Sequence, residues 1–554
     1  MLSKRDFLKW GVVAGGAALF GGGIRLASSQ TGGACPAEPP EQSPASTPFI
    51  DPLPLPPVKQ PTASLDPAPN PNSHQKYAQY PPQKLYEIHV REAPHKFHSQ
   101  WPDTPIWGYD GLVPGPTIIA EYGKPWLVRI YNDLPQTHTG FGIPQISTHL
   151  HNFHTAWESD GNPANFYPNW NPSADRLAPL PSPLPQLPAP DTLYWDHHYS
   201  AITAGNDSKE ALGTLWYHDH RLDFTTGNVY RGLAAFCLIF DELDTGNEET
   251  GLHLPSGNYD VPLVFTDKLF NPDFSLFMNQ LDFDGVLGDK FCVNGVIQPH
   301  FKVARRKYRF RLLDGGPSRF YQFHLSDNSS FHLIATDGNL LEAPLEVTST
   351  HLGVANRRDI IIDFSKYESG KQVYLENRLE QVDGEGPTGR VLQQGTRILR
   401  FDVDGSLDAT DHSLVPLTLR PFPPINISSS TPQRTFEFGR SNGGWTVNGQ
   451  FFNPDVPITT ATHGVPEIWT LKNGGGGWSH PVHIHFEEFR VLRLNGQTPP
   501  PELGLGRHDV IALGPNDEAQ VYIQFRDFQG RYVMHCHNTR HEDHAMMTRF
   551  DITP

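Results

Sequence analysis

Sulfur is scarce in this chain. Four cysteines among 554 residues are too few for a disulfide scaffold. Cys536 stands between two histidines, which leaves Cys35, Cys237 and Cys292, an odd number. A Cys237–Cys292 bridge in an oxidising compartment and a set of buried free thiols both fit the sequence. Positive charge is also in deficit, since 43 Lys and Arg against 60 Asp and Glu give a net charge of −17. That balance leaves no basic footprint for nucleic acid, and acidity of this size chiefly favours solubility. Past the N-terminus no apolar run is long enough to span a bilayer, so no stable membrane insertion of the mature protein is expected.

Turn formers, by contrast, are abundant. The 49 glycines and 53 prolines suit an all-β fold of short strands, and a hydrophobic share of 37% supports a packed core. Length alone suggests about three or four domains. At the N-terminus, Ser3-Lys4-Arg5-Asp6-Phe7-Leu8-Lys9 precedes a Gly/Ala-rich apolar run from Trp10 to Ile24. It resembles the twin-arginine export signal with Lys4 in place of the first arginine, and a general secretory signal shares the same plan. Residues 1–29 are therefore expected to direct export, making the protein periplasmic or secreted. Residues 30–74, rich in Pro, Ser, Ala and Thr, read as a flexible, partly extended linker. A second proline-rich stretch, around Pro181-Ser182-Pro183-Leu184-Pro185, reads as a long loop.

A weak internal repeat sets the domain count. Val113-Pro114-Gly115, Val293-Asn294-Gly295 and Val447-Asn448-Gly449 each lead through a proline to an alternating strand, the last being Glu467-Ile468-Trp469-Thr470-Leu471. Three closing strands also match, each ending in Phe-Asp at Asp241, Asp402 and Asp551. The expected organisation is three tandem β-sandwich domains over 75–245, 255–405 and 415–554.

Four histidine clusters carry the chemistry. They are His149-Leu150-His151; His218-Asp219-His220; His480-Pro481-Val482-His483-Ile484-His485; and His535-Cys536-His537 followed by His541 and Met546. In a strand, residues i and i+2 share a face, so each His-x-His pair offers two neighbouring imidazoles. Four pairs, two near each end of the chain, converge only if the first and last domains touch. Neutral imidazole suits copper, zinc, iron or nickel, and a thiolate with two histidines and a weak axial methionine is the blue-copper set. Cys536, His541 and Met546 fit that set, with His480 as the second histidine. Cys536 also gives an electron a short covalent path to His535 and His537.

These clusters resemble those of the multicopper oxidases, in particular the spore-coat laccase and bilirubin oxidase branch. Further matching stretches are Ser159-Asp160-Gly161-Asn162-Pro163, Leu215-Trp216-Tyr217 and His541-Glu542-Asp543. The resemblance runs from about residue 80 to the C-terminus. It implies three cupredoxin-like Greek-key sandwiches and four copper ions. A type 1 copper would take His480, Cys536, His541 and Met546, and a type 2 copper His149 and His483. One type 3 copper would take His151, His218 and His537, the other His220, His485 and His535. The middle domain carries no complete ligand motif and reads as a spacer. Reducing dioxygen to water consumes protons, and the resemblance assigns Glu542 and Asp160 to that supply. Orienting a ligand is the other role open to each.

The implied activity is laccase-like: one-electron oxidation of phenols or aromatic amines coupled to four-electron reduction of dioxygen. Substrate electrons would enter at an exposed edge of His480. Bilirubin oxidation, or cuprous or ferrous oxidation, is the alternative; with five methionines the chain lacks the methionine-rich segment common in copper-handling members. A non-catalytic relative would lack ligands, and a copper nitrite reductase would lack the His-Cys-His connection. The expected partners are dioxygen and a small reductant, and a monomer is expected. His154, His197, His198 and His544 match no ligand position and read as surface or hydrogen-bonded residues.

Overall fold

The computed structural model describes residues 42–168 and 193–554. The export segment and the Pro181 loop lie outside the described residues. Eight elements build the site: β1 (Thr148–His151), α1 (Trp157–Asp160), β2 (Thr214–Asp219), α2 (Thr225–Arg231), β3 (Arg357–Asp363), β4 (His480–Ile484), β5 (Gly530–Cys536) and α3 (Thr539–Asp543).

Among the described residues, the six larger sheets form three pairs, each pair closed on one apolar core. In the first, a sheet containing Lys84–His95 and Trp126–Asn132 faces one containing Ala234–Phe240, β2 and β1. Ile88, Val128, Leu150, Leu215 and Tyr217 pack between them. In the second, β3 lies in a large sheet that shares Phe265, Phe310, Phe323 and Phe401 with a five-stranded partner. In the third, Pro466–Asn473 faces a sheet ordered Pro457–Thr462, Met547–Thr553, β5, β4, Val510–Leu513. Trp469, Phe525, Phe550 and Cys536 fill that core. Along Pro466–Asn473 buried residues strictly alternate with half-buried ones, as one covered face requires.

The Val-Asn-Gly repeat has a physical basis. Asn294 and Gly295, and likewise Asn448 and Gly449, adopt positive φ in tight turns that suit those residues. Each asparagine then caps a neighbouring strand: Val264 N–H donates to Asn294 Oδ1 at 2.9 Å, and Glu437 N–H to Asn448 Oδ1 at 2.7 Å.

One expectation needs correction, and one open alternative is decided. The described part of the linker, residues 42–74, is a strap fixed to the sandwiches. Phe49 and Leu53 donate backbone N–H groups to Gln298 and His300, Lys59 to Thr117, and Thr62 to Leu85. Proline-rich composition removes donors but leaves these neighbours able to pair at sheet edges. Cys237 and Cys292 are buried free thiols, each in a separate core cluster. Among the described residues no helix is long and apolar enough to cross a membrane.

Candidate metal centre

Strand parity sorts the histidines into two places. On β5, Tyr532, Met534 and Cys536 point into the third core. His535 and His537 therefore point out of it, toward the first sandwich. On β4, Val482 and Ile484 join that core, so His480 shares their side while His483 and His485 face outward. The odd spacing between His480 and His483 is what splits them. In the first sandwich Leu150, Leu215 and Tyr217 face inward, which turns His149, His151 and His218 outward. Both outward faces are nevertheless buried, because each covers the other.

The outward imidazoles meet between the sandwiches. His149 stands opposite His218 across the β1–β2 ladder, and His483 opposite His535 across β4–β5. Rings then stack from one sandwich to the other, His149 on His485 with centroids 4.0 Å apart and His151 on His483 at 3.8 Å. His220 Nε2 and His535 Nε2 each lie 3.2 Å from His485 Nε2. His537 completes the group, its centroid 5.2 Å from His151 and 5.3 Å from His218. All eight predicted imidazoles are thus brought together.

The inward group is smaller. Cys536 Sγ lies 3.6 Å from His480 Nδ1 and 3.4 Å from His541 Nδ1, and the two nitrogens are 3.1 Å apart. His541 arrives on α3, whose Asn538 cap accepts the Arg540 N–H at 3.2 Å. His541 Nε2 donates to the Asp284 carbonyl of the second sandwich at 2.9 Å. Met546 is fully buried in the same core as Cys536.

Both groups have the properties of metal sites. His149 Nε2, His151 Nδ1, His218 Nε2, His483 Nε2 and both nitrogens of His537 are buried without a hydrogen-bond partner. Each orphaned acceptor costs about 1–3 kcal/mol unless a cation meets it. Burial holds His218 and His480 down at about 3, so they are neutral imidazoles rather than cations. It also pushes the Cys536 thiol up, so only a bound cation makes its thiolate stable there. An imidazole-rich group beside a Cys-His-His triangle is a copper donor set.

Carboxylates stand behind three of the imidazoles. His485 Nδ1 donates to Asp160 Oδ2 at 2.7 Å, and His220 Nδ1 and His535 Nδ1 lie 2.9 and 3.1 Å from the two oxygens of Glu542. The Nε2 atoms of all three are left pointing at one another. Glu542 is itself held by Thr225 Oγ1 of α2, which donates at 2.6 Å.

One expectation fails here. His480 is fully buried and presents no exposed edge. Its ring meets Trp445 edge-on at 5.6 Å, Trp445 meets the half-buried Trp478 at 5.2 Å, and Ser479 N–H donates to the Glu385 carbonyl of the second sandwich. Long loops from the middle sandwich roof this edge. The four histidines outside the motifs are hydrogen-bonded, but none is exposed: His154 pairs with Asp527 at 3.0 Å and His197 donates to the Ser159 carbonyl at 2.9 Å. Sequence reasoning missed Asp509, Arg357 and Trp445. Among 60 acidic residues nothing local singles out Asp509.

Comparison with known proteins agrees with the geometry. A family model described as multicopper oxidase matches residues 424–554. The bilirubin oxidase of Albifimbria verrucaria is 32% identical over 92% of this chain and 82% of its own length. The chain belongs to the multicopper oxidase family. A laccase of Bacillus subtilis (strain 168) is 30% identical, covering 88% of this chain and 98% of its own. The crystal structure of a laccase from Pediococcus acidilactici Pa5930 superposes with a TM-score of 0.73 over 94% of this chain and 96% of its own, at 24% identity, which speaks for the fold. This multicopper oxidase is accordingly a copper-dependent oxidoreductase that uses dioxygen as acceptor.

Proposed function

We propose that this oxidase is laccase-like, taking single electrons from phenols or aromatic amines and reducing dioxygen to water. The observation that carries this is Cys536: its sulfur sits in the inward triangle while its chain neighbours His535 and His537 sit in the outward cluster. Electron entry and oxygen chemistry are thereby one residue apart.

Four coppers would be held as follows: type 1 by His480, Cys536, His541 and Met546; type 2 by His149 and His483; the type 3 pair by His151, His218 and His537, and by His220, His485 and His535. The orphaned nitrogens support these assignments. When bound, the coppers supply one-electron relay and the multi-electron reduction of dioxygen. The protein's own part is to orient and to deliver protons. Glu542 and Asp160 do both in this reading, because each carboxylate touches an imidazole and neither is exposed. The copper-bearing unit is taken as 415–554, with 75–245 supplying the opposite wall of the cluster and 255–405 between them. Export through residues 1–29 belongs to the same proposal and rests on the Ser3-Lys4-Arg5 segment.

The 32% relative named bilirubin oxidase favours a second reading in which a tetrapyrrole is the donor. The test is copper analysis followed by kinetics with a phenol, an aromatic amine, bilirubin, cuprous ion and ferrous ion under an oxygen electrode. The laccase-like reading expects four coppers per chain and one dioxygen consumed per four phenol or amine oxidations, with the highest kcat/KM on that class. One copper per chain, or a preference for zinc, refutes the cluster assignment. A far higher kcat/KM on bilirubin or a metal ion moves the substrate class.

A further inference from the structure

Arg357, the first residue of β3, uses every hydrogen-bond donor it has. Nε donates to the Thr214 carbonyl at 3.3 Å, one terminal nitrogen to the Ala355 carbonyl and Asp509 Oδ1 at 2.9 Å each, and the other to the Asp337 carbonyl at 2.9 Å and to Asp509 Oδ2. A guanidinium has five N–H groups, and all five are engaged. The acceptors belong to all three sandwiches: Thr214 to the first, Ala355 and Asp337 to the second, Asp509 to the third. Arg357 and Asp509 are both fully buried.

Asp509 is also the residue that holds two of the outward imidazoles. Its Oδ1 accepts from His151 Nε2 at 3.0 Å and its carbonyl from His483 Nδ1 at 2.8 Å. Those bonds leave His151 Nδ1 and His483 Nε2 as the orphaned nitrogens, on rings stacked 3.8 Å apart. A carboxylate that must serve a histidine at one oxygen needs its plane fixed, and a two-pronged guanidinium fixes both oxygens at once.

We propose that Arg357 is a positioning residue for the oxygen-side metal cluster: it locks the Asp509 carboxylate, and through it the tautomer and orientation of His151, beside His483 on the Asp509 main-chain carbonyl. The middle sandwich then reaches the centre through one side chain and is more than a spacer. The inference rests on the assignment of His151 and His483 as ligands. Arg309 supplies the contrast. It is equally buried and pairs with Asp244 at 2.8 Å and Asp359 at 2.6 Å, but it touches no imidazole.

The experiment uses the full chain with Arg357→Met, Arg357→Lys and Arg309→Met. Copper per chain, the type 2 paramagnetic signal, the blue type 1 absorbance and copper loss to a competing chelator are measured, with the unfolding temperature of the metal-free proteins. Arg357→Met should keep the blue band yet hold the cluster copper about 10–100-fold more weakly, the range for losing a group that orients a metal ligand. Arg357→Lys keeps the charge without the fork and should show the same selective loss to a smaller degree; it decides the matter if the methionine variant does not fold. Arg309→Met should lower the unfolding temperature without selective copper loss. Normal cluster copper in both Arg357 variants, or equal loss in Arg309→Met, overturns the role of Arg357. An unmodified chain that loads type 1 copper and never shows a type 2 signal overturns the ligand assignment instead.

Discussion

The backbone N–H of Cys536 donates to the carbonyl of Met546 across 3.0 Å. Met546 N–H in turn donates to the His541 carbonyl at 2.9 Å. The cysteine, histidine and methionine of the inward group are thus tied by main chain, whatever the Met546 side chain does. If Met546 is the weak axial donor proposed above, Met546→Leu should keep the blue colour and raise the type 1 reduction potential. Redox titration followed at the blue band checks this. Loss of the band would mean that Met546 is more than axial.

Glu542 tests the proton side. Glu542→Gln keeps size and the contact with Thr225 but cannot give up a proton in the same way. In the copper-loaded variant, blue colour and reduction by substrate should stay near normal while turnover falls about 10²–10⁴-fold. Stopped-flow mixing of reduced enzyme with dioxygen should locate the slow step in reoxidation. Normal reoxidation with slow reduction would place Glu542 on the substrate side.

How much of this was readable beforehand depends on distance along the chain. Nine of the ten histidines lie in short motifs whose even and odd spacings are read by strand geometry, so their two faces could be read directly; His541 arrives on a helix. The Asn-Gly turns carried the repeat because only a few residue types accept positive φ. Asp509 and Arg357 are 152 residues apart and meet side chain to side chain, which no local pattern encodes. The burial of His480 depends on a loop near Glu385 in another sandwich, and the strap of residues 42–74 on pairing with edges far along the chain. Composition predicts neither.

Glu158 on α1 gives a pH prediction. Gln75 donates to it from its backbone at 2.5 Å and its side chain at 3.1 Å, yet burial pushes the carboxyl up to about 7. The folded state keeps a proton that the unfolded chain releases near its ordinary value of about 4.3. Stability from this group is full below that value and is lost as pH rises toward 7. Glu158→Gln should therefore gain on the parent with rising pH, by about 3 kcal/mol across the window. Unfolding temperatures of both proteins at several pH values measure it; a constant difference would refute it.

Export is checked in cells. Replacing Lys4 and Arg5 with glutamine should leave the protein in the cytoplasm with residues 1–29 uncleaved. Normal delivery of that variant would rule out a basic export signal.

The three-residue interval from His480 to His483 has a consequence for how such a chain can change. Substitution at Pro481 or Val482 alters packing and leaves each imidazole with its own centre. Deleting one of them would turn the interval even and carry an imidazole of one group to the wrong side of the strand. Removing two restores the odd count. Segment length modulo two, rather than identity, is therefore what this stretch of the gene must conserve, and single-residue deletions there should be lost while many replacements survive.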